Sequence, residues 1–346
     1  MIKSKYHKNS RYPKKYNYGN KEMLTNIFSK VNSDLKKNNI ELKGCKSIGI
    51  DYKIIKYLAS GTFGKVSFAV DKSTKKNIIV KEIEISNFKI YKTGIDKHIF
   101  IKFIENELKH LALFSEIIPQ YICPLICVDV KIPKIFFKSP KIIIIMEYCG
   151  KSMGEILIDV QNKKIPYPSL DTVLTWFYNI INALHIIHKN NIIHLDIKPE
   201  NILVKENGNI AIIDFGVSQS IDDYNKYRIP VGTPRYIAPE IVNRNIIRDG
   251  KSDIYSLGVT LNYFVNIYPI LKPLVNDMVN PNVFLRPTAL EVRQKILMIT
   301  RQEDSIKKVQ SRAVGNKTRK TPSSKSRAVG NKTRKSRLNK KNHKLY

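Results

Sequence analysis

The chain has 346 residues, a formal net charge of +31, 42% hydrophobic residues and four cysteines. That length accommodates a core of about 250 residues with extensions, and no apolar run approaches the ~20 residues that a membrane-spanning helix needs. The opening stretch Met1-Ile2-Lys3-Ser4-Lys5-Tyr6-His7-Lys8 lacks the apolar centre of a secretory signal.

Taken in chain order, residues 1–50 form a basic extension, with 12 Lys or Arg against Glu22, Asp34 and Glu41, a balance of +9. Beyond it, Gly61 and Gly64 sit between strands, where glycine permits a tight turn and lets backbone N–H groups approach phosphate oxygens. Alone, such a pair is also the mark of a plain hairpin. Asn77-Ile78-Ile79-Val80-Lys81 reads as a buried strand ending in a lysine. A lysine there can pair with α- and β-phosphates while a helix carboxylate holds it. Glu107 is the favoured partner, because Leu108, Leu111 and Phe114 follow at helical spacing; Glu105, two residues earlier, faces roughly the opposite side. Lys141 to Glu147 is a short apolar strand.

The stretch His194-Leu195-Asp196-Ile197-Lys198-Pro199-Glu200-Asn201, with Asp214-Phe215-Gly216 behind it, has the makings of an ATP phosphoryl-transfer site. Asp196 can accept the proton of an attacking hydroxyl and Lys198 can steady the γ-phosphate. Asn201 and Asp214 offer the hard oxygen ligands that magnesium prefers. Phosphoryl transfer asks mainly for positioning and charge neutralisation, which these residue types supply.

In order and spacing these motifs resemble those of the eukaryotic-type protein kinases, over about residues 52–296, and the chain is identified as a Ser/Thr-class member of that family. The resemblance implies an α+β, two-lobed fold. A small β-rich N-lobe (51–147) and a larger helical C-lobe (151–298) form a catalytic domain over 51–298, between disordered basic arms at 1–50 and 299–346. It implies ATP and Mg2+, with Mn2+ as a substitute, a protein Ser/Thr hydroxyl as acceptor, and a monomer. It further implies that Leu58, Ala59, Ser60, Gly61, Thr62, Phe63, Gly64, Lys65 and Val66 cover the phosphates, with Ala59 replacing the family's first glycine. Lys81 and Glu107 would hold the nucleotide, Met146 would back the adenine, and the backbone of Glu147 and Cys149 would meet its edge. Ile79 replaces a smaller residue and narrows that site.

By the same resemblance, Gly232 to Glu240 ends the activation segment. Thr233 then touches the base, Glu240 pairs with Arg286, and Asp253 braces the catalytic loop. Leu195 stands where many relatives carry a phosphate-binding arginine, marking a non-RD kinase. Phosphorylation of Ser218, Ser220 or Tyr227 therefore has no local cation to meet, and activity is expected without it. Gly258 and Leu285 are only 27 positions apart, which predicts a trimmed C-lobe. A pseudokinase scaffold and a nucleic-acid-associated binding protein are the competing readings.

Residues 301–346 carry 16 Lys or Arg against Glu303 and Asp304, a balance of +14, leaving +8 for the middle of the chain. The ten-residue sequence Ser311-Arg312-Ala313-Val314-Gly315-Asn316-Lys317-Thr318-Arg319-Lys320 recurs from Ser326 to Lys335. So little apolar surface makes disorder the default. Such an arm suits an acidic protein, nucleic acid or an anionic membrane surface, or is simply a solubilising or targeting tail. Its Ser and Thr residues beside basic ones are candidates for autophosphorylation. Cys45, Cys123, Cys127 and Cys149 make no zinc pattern and read as scattered thiols of a reducing, intracellular compartment, cytoplasmic or nuclear. Richness in Ile, Lys and Asn points to an AT-rich genome, as in large DNA viruses or certain protists. In a virus, a viral factory or the virion would be the setting.

Overall fold

The computed structural model describes residues 16–60, 64–85, 96–132, 139–223, 231–242 and 249–318. The chain divides into two units, Met1–Thr300, which holds the sheet and nearly all the helices, and Arg301–Tyr346, whose described part is helical.

Met23, Leu24, Ile27, Val31 and Leu35 recur at helical spacing, and helix α1 (Tyr16–Lys36) buries that stripe. An antiparallel sheet follows, with β1 (Tyr52–Ser60), β2 (Lys65–Asp71), β3 (Asn77–Glu84), β4 (Leu125–Lys131) and β5 (Lys141–Glu147) in the order β1-β2-β3-β5-β4. The run Ile142 to Ile145 is fully buried along β5. Helix α2 (Lys97–Ile117) starts where the Asp96 carboxylate accepts the amides of His98 and Ile99, and it buries Phe100, Phe103, Ile104, Leu108, Leu111 and Phe114.

Past β5 the chain turns at Gly150, whose φ of 105° favours glycine; a Cβ there would lie 2.2 Å from the Val204 carbonyl oxygen. The larger lobe begins with β6 (Lys151–Ser152) and α3 (Met153–Gln161), the latter closed by a Ser152–Glu155 capping box. Helix α4 (Leu170–Lys189) is its axis, burying Val173, Phe177, Ile180, Ile181, Leu184 and Ile187 on one side. Four short strands carry the loops of interest: β7 (Ile192–Ile193), β8 (Ile202–Val204), β9 (Ile210–Ile212) and β10 (Gln219–Ser220). Helices α5 (Pro239–Val242), α6 (Lys251–Leu261) and α7 (Lys272–Met278) complete the lobe with the first part of α8 (Ala289–Thr318), up to Thr300. Between α6 and Leu285 the described residues hold only α7 and two 3-10 turns, in keeping with a short C-lobe.

Three expectations need correction. The N-terminal arm is not disordered throughout, because α1 joins the main apolar cluster together with α2 and the sheet. The boundary at 298/299 falls inside α8, which continues into the first copy of the repeat. Thr288 and Glu291 cap its start, with Ala289, Val292 and Ile296 buried below. Once nucleated, a helix rich in Arg, Lys, Gln and Ala extends at little cost. Lastly, the thiols are paired, Cys45 with Cys127 and Cys123 with Cys149, at Cα separations of 5.0 and 5.8 Å. Residues 43–45 run beside β4, where Gly44 bridges Val128, and Cys123 and Cys149 flank the paired strands β4 and β5. Free thiols therefore give no support to a reducing compartment. No described helix is long and apolar enough to cross a membrane.

Candidate active site

Lys81 lies in β3 and reaches across to α2, where its ammonium pairs with the Glu107 carboxylate; Asp214 Oδ1 stands 3.1 Å from the same nitrogen. Lys81 and Glu107 side chains are 10% and 4% exposed, so the pair is nearly dry. Burial alone would favour a neutral lysine, but the charges of Asp214 and Glu107 outweigh it and hold Lys81 protonated. The Lys81 charge in turn keeps the Asp214 carboxyl below the usual carboxylate range, while burial pushes Glu107 up against the pull of Lys81. Glu105 points elsewhere and pairs with Lys30 of α1 at 2.6 Å.

Asp196 is held from several sides. Its Oδ1 accepts the Thr233 hydroxyl at 2.7 Å and the Thr233 amide at 3.0 Å; its Oδ2 accepts Asn201 Nδ2 at 2.9 Å and faces Lys198 Nζ at 2.8 Å. Lys198 also donates to Thr233 Oγ1 at 2.7 Å, which closes a ring of three side chains, Asp196, Thr233 and Lys198, with Asn201 attached at Asp196. Gly232 makes the close approach feasible: its φ is 112°, and a Cβ would sit 2.5 Å from the Leu195 carbonyl oxygen.

The loop backbone is strained at Leu195 and Asp214, both with φ of 67°, a conformation that costs about 1–3 kcal/mol each for a non-glycine residue. Asp253 of α6 offsets this at Leu195. Its buried carboxylate accepts the amides of His194 at 2.9 Å and Leu195 at 2.8 Å and meets His188 Nε2 at 2.8 Å. Burial would raise the Asp253 carboxyl, but these partners hold it below its ordinary value. His194 accepts the Asp196 amide on Nδ1 and so carries its proton on Nε2, which donates to the Ile213 carbonyl. Phe215 packs between His194 and Phe114, with ring centroids 5.0 and 5.4 Å away.

Two residues of α2 escaped the sequence reading. Asn106 donates to the Ser218 carbonyl at 2.9 Å, and His110 lies 2.7 Å from Ser218 Oγ. The Ser218 hydroxyl itself donates to the Phe215 carbonyl, so His110 is the donor of the pair. Their i, i+4 spacing beside Glu107 was the available signal. Ser218 is fully buried, so its hydroxyl is closed to modification in this conformation. Glu240 and Arg286 form a buried two-point ion pair at 2.7 and 3.0 Å, with Ser252 donating to the same carboxylate.

Of the expected phosphate-covering stretch, Leu58, Ala59 and Ser60 end β1, Gly64 precedes β2, and Lys65 and Val66 begin it. Ala59 is extended opposite Val66. Gly61, Thr62 and Phe63 lie outside the described residues, as does Tyr227. Met146 and Glu147 end β5, where the Glu147 amide donates to the Pro124 carbonyl at 3.0 Å. Cys149 is buried in its pair with Cys123. Ile79 sits in β3 between Phe68 and Met146 on the neighbouring strands. For a divalent metal the donor set fits: Asp214 is an ionised carboxylate, and both Asn201 amide hydrogens go to Asp196, leaving the amide oxygen as the ligand-type atom.

The model of the protein kinase domain matches residues 52–314, well over half of the chain. The chain belongs to the protein kinase family. This kinase is similar to the carbon catabolite-derepressing protein kinase of Saccharomyces cerevisiae, at 29% identity over 78% of the chain and 40% of the relative. It is also similar to mouse serine/threonine-protein kinase Nek5, at 32% identity over 61% of the chain and 30% of the relative. CBL-interacting serine/threonine-protein kinase 2 of Arabidopsis thaliana is 29% identical over 61% of the chain and 42% of the relative. The kinase thus spans about two fifths or less of the length of these curated relatives.

Proposed function

We propose that this kinase transfers the γ-phosphate of ATP to serine and threonine hydroxyls of proteins, with Mg2+ as its metal and Mn2+ as a substitute. The cluster of Lys198, Asn201 and Thr233 around Asp196 carries the reading. It presents one carboxylate, held at both oxygens, to an incoming hydroxyl. Asp196 accepts the proton of that hydroxyl as the new P–O bond forms and the bond to the β-phosphate oxygen breaks, leaving ADP. Lys198 steadies the negative charge on the transferring group, and Lys81, fixed by Glu107, binds the α- and β-phosphates. Asn201 and Asp214 would hold the metal, which when bound neutralises charge on the β- and γ-oxygens. Leu58 to Val66 would cover the phosphates, and the Glu147 and Cys149 backbone would receive the base. The basic arms at either end are proposed to recruit an acidic protein or nucleic acid.

The test is transfer of labelled γ-phosphate to an acidic and a basic model protein, with Mg2+ or Mn2+, by wild type, by Asp196→Ala and by a chain ending at Thr300. Labelled phosphoserine or phosphothreonine from wild type, and none from Asp196→Ala, is expected. A wild type as silent as Asp196→Ala on both proteins and on itself would overturn the reading in favour of a nucleotide-binding scaffold.

A further inference from the structure

The site depends on where α2 sits, since Glu107 must meet Lys81 across a gap between helix and sheet. Its inner side is held by the loop after Asp214, through Asn106 and His110 to Ser218 and Phe114 to Phe215. The far side of α2 is covered by α1, which packs along it and buries Leu24, Ile27, Val31 and Leu35 in the same apolar cluster as Ile104, Leu108 and Leu111 of α2. Two ion pairs fix the register: Lys30 of α1 with Glu105 of α2 at 2.6 Å, and Asp34 of α1 with Lys109 of α2 at 3.4 Å. The segment after α1 is anchored in turn, because Lys43 accepts the Val128 amide at 2.9 Å and Cys45 is bonded to Cys127 of β4. One piece of chain thus grips α2 on its outer side and the sheet at β4.

We propose that α1 is a built-in positioning helix for phosphoryl transfer: it holds α2 at the one placement where Glu107 pairs with Lys81, so that residues before the catalytic domain set turnover. Helix α1 touches neither nucleotide nor acceptor, and acts through α2. Glu105 is consequently a positioning residue, the outward counterpart of Glu107. The inference builds on the function proposed above, and wild-type activity is the control that separates the two.

The test uses the full chain. Ile27→Asp combined with Val31→Asp puts two charges into the buried face of α1 and releases it from α2. Turnover is expected to fall between about 5- and 150-fold, the range of couplings carried by one packed element, while the KM for the acceptor protein stays put. A synthetic peptide of residues 16–37 should restore turnover in a saturable manner, and the same peptide bearing both aspartates should not. In a folded double variant, turnover within twofold of wild type, or loss of activity that the peptide cannot restore, overturns the proposal.

If the double variant does not fold, the half-exposed Lys30–Glu105 pair decides. Lys30→Glu and Glu105→Lys should each lower turnover by about two- to fivefold, the range for such a pair, and the doubly exchanged chain should recover it. Equal turnover in all three would overturn the proposal. Should wild type itself be silent, the function proposed above has failed while this inference stays open to trial. Hydrogen exchange of the α2 amides should then speed up in the Ile27→Asp, Val31→Asp chain, and unchanged exchange would overturn it.

Discussion

Glu105 and Glu107, two residues apart on α2, take partners on opposite sides of the helix: Lys30 of α1 for the first and Lys81 of β3 for the second. The second pair is nearly dry and the first is half-open, so equal chemistry has unequal consequences. Removing one member of a buried pair leaves an uncompensated charge and costs about 3–5 kcal/mol, against about 0–1 kcal/mol for an exposed one. Glu107→Ala is expected to lower kcat by more than about 100-fold, because about 3 kcal/mol of positioning is lost at about 1.4 kcal/mol per tenfold. Glu105→Ala should cost less than about tenfold. Steady-state kinetics of the two variants at saturating ATP checks the ranking.

The Glu240–Arg286 pair is scaffold rather than chemistry. Arg286 is 1% exposed, and its guanidinium also donates to the Asn280 and Lys251 carbonyls and lies 5.0 Å from the Tyr255 ring centre. Arg286→Ala is expected to destabilise the domain by about 3–5 kcal/mol, and Arg286→Lys to rescue little, since a lysine cannot make the two-point contact. Denaturant midpoints of the two variants measure it. A midpoint shift below about 1 kcal/mol for Arg286→Ala would contradict the buried geometry.

How far the molecule can be read from its sequence varies with what each residue answers to. Asp196, Asn201 and Asp214 stand out because the chemistry admits few residue types, and Lys81 because a charge at the end of an apolar strand needs a reason. Glu107 could be preferred over Glu105 from helical phase alone. Helix α1 could not be seen, since a balance of +9 over residues 1–50 drowned the apolar stripe from Met23 to Leu35. Nor could the cysteine pairs, which depend on residues 43–45 running beside β4, a contact far along the chain. The spacing of Asn106 and His110 put them on one face of the helix but did not reveal their partner Ser218, which is more than a hundred residues away.

His110 gives the domain a pH dependence of definite sign. Burial, with Lys109 and Lys102 adding like charge, depresses its pKa to about 3 from an ordinary 6.5; His194 adds to this and Asp223 opposes it. A folded-state pKa below the unfolded one means that the stabilisation is complete above about pH 6.5 and is lost as pH falls towards 3. Each pH unit inside that window removes about 1.4 kcal/mol. Asp214, Glu240 and Asp253, all held below their ordinary values, lose their contributions only at lower pH, as acid reaches their folded-state values. Unfolding free energies at pH 7.5 and 5.5 should therefore differ by about 1.4 kcal/mol in wild type. His185, also lowered by burial, adds a smaller change of the same sign, so His110→Gln, which can still donate to Ser218 but cannot titrate, should reduce the difference without abolishing it; an unchanged slope would assign it to other groups.

Leu195 decides what the activation segment needs. It is 6% exposed and packs with Ile193, Ala238 and Ile241, and with Val217, Val231 and Tyr255 at the rim, so apolar contact does the holding that an arginine and a phosphate would otherwise do. Ser218 is closed off by His110 and Phe215, which removes one of the three candidate acceptors from reach. Activity is therefore expected to stay within about twofold after complete phosphatase treatment, since Leu195 offers a phosphate no cation to meet. Leu195→Arg should lower stability by about 1–3 kcal/mol or more by burying an unpaired charge among apolar side chains. Loss of activity on dephosphorylation would mean that a phosphate contact outside the described residues, and not the apolar cluster at Leu195, orders the segment.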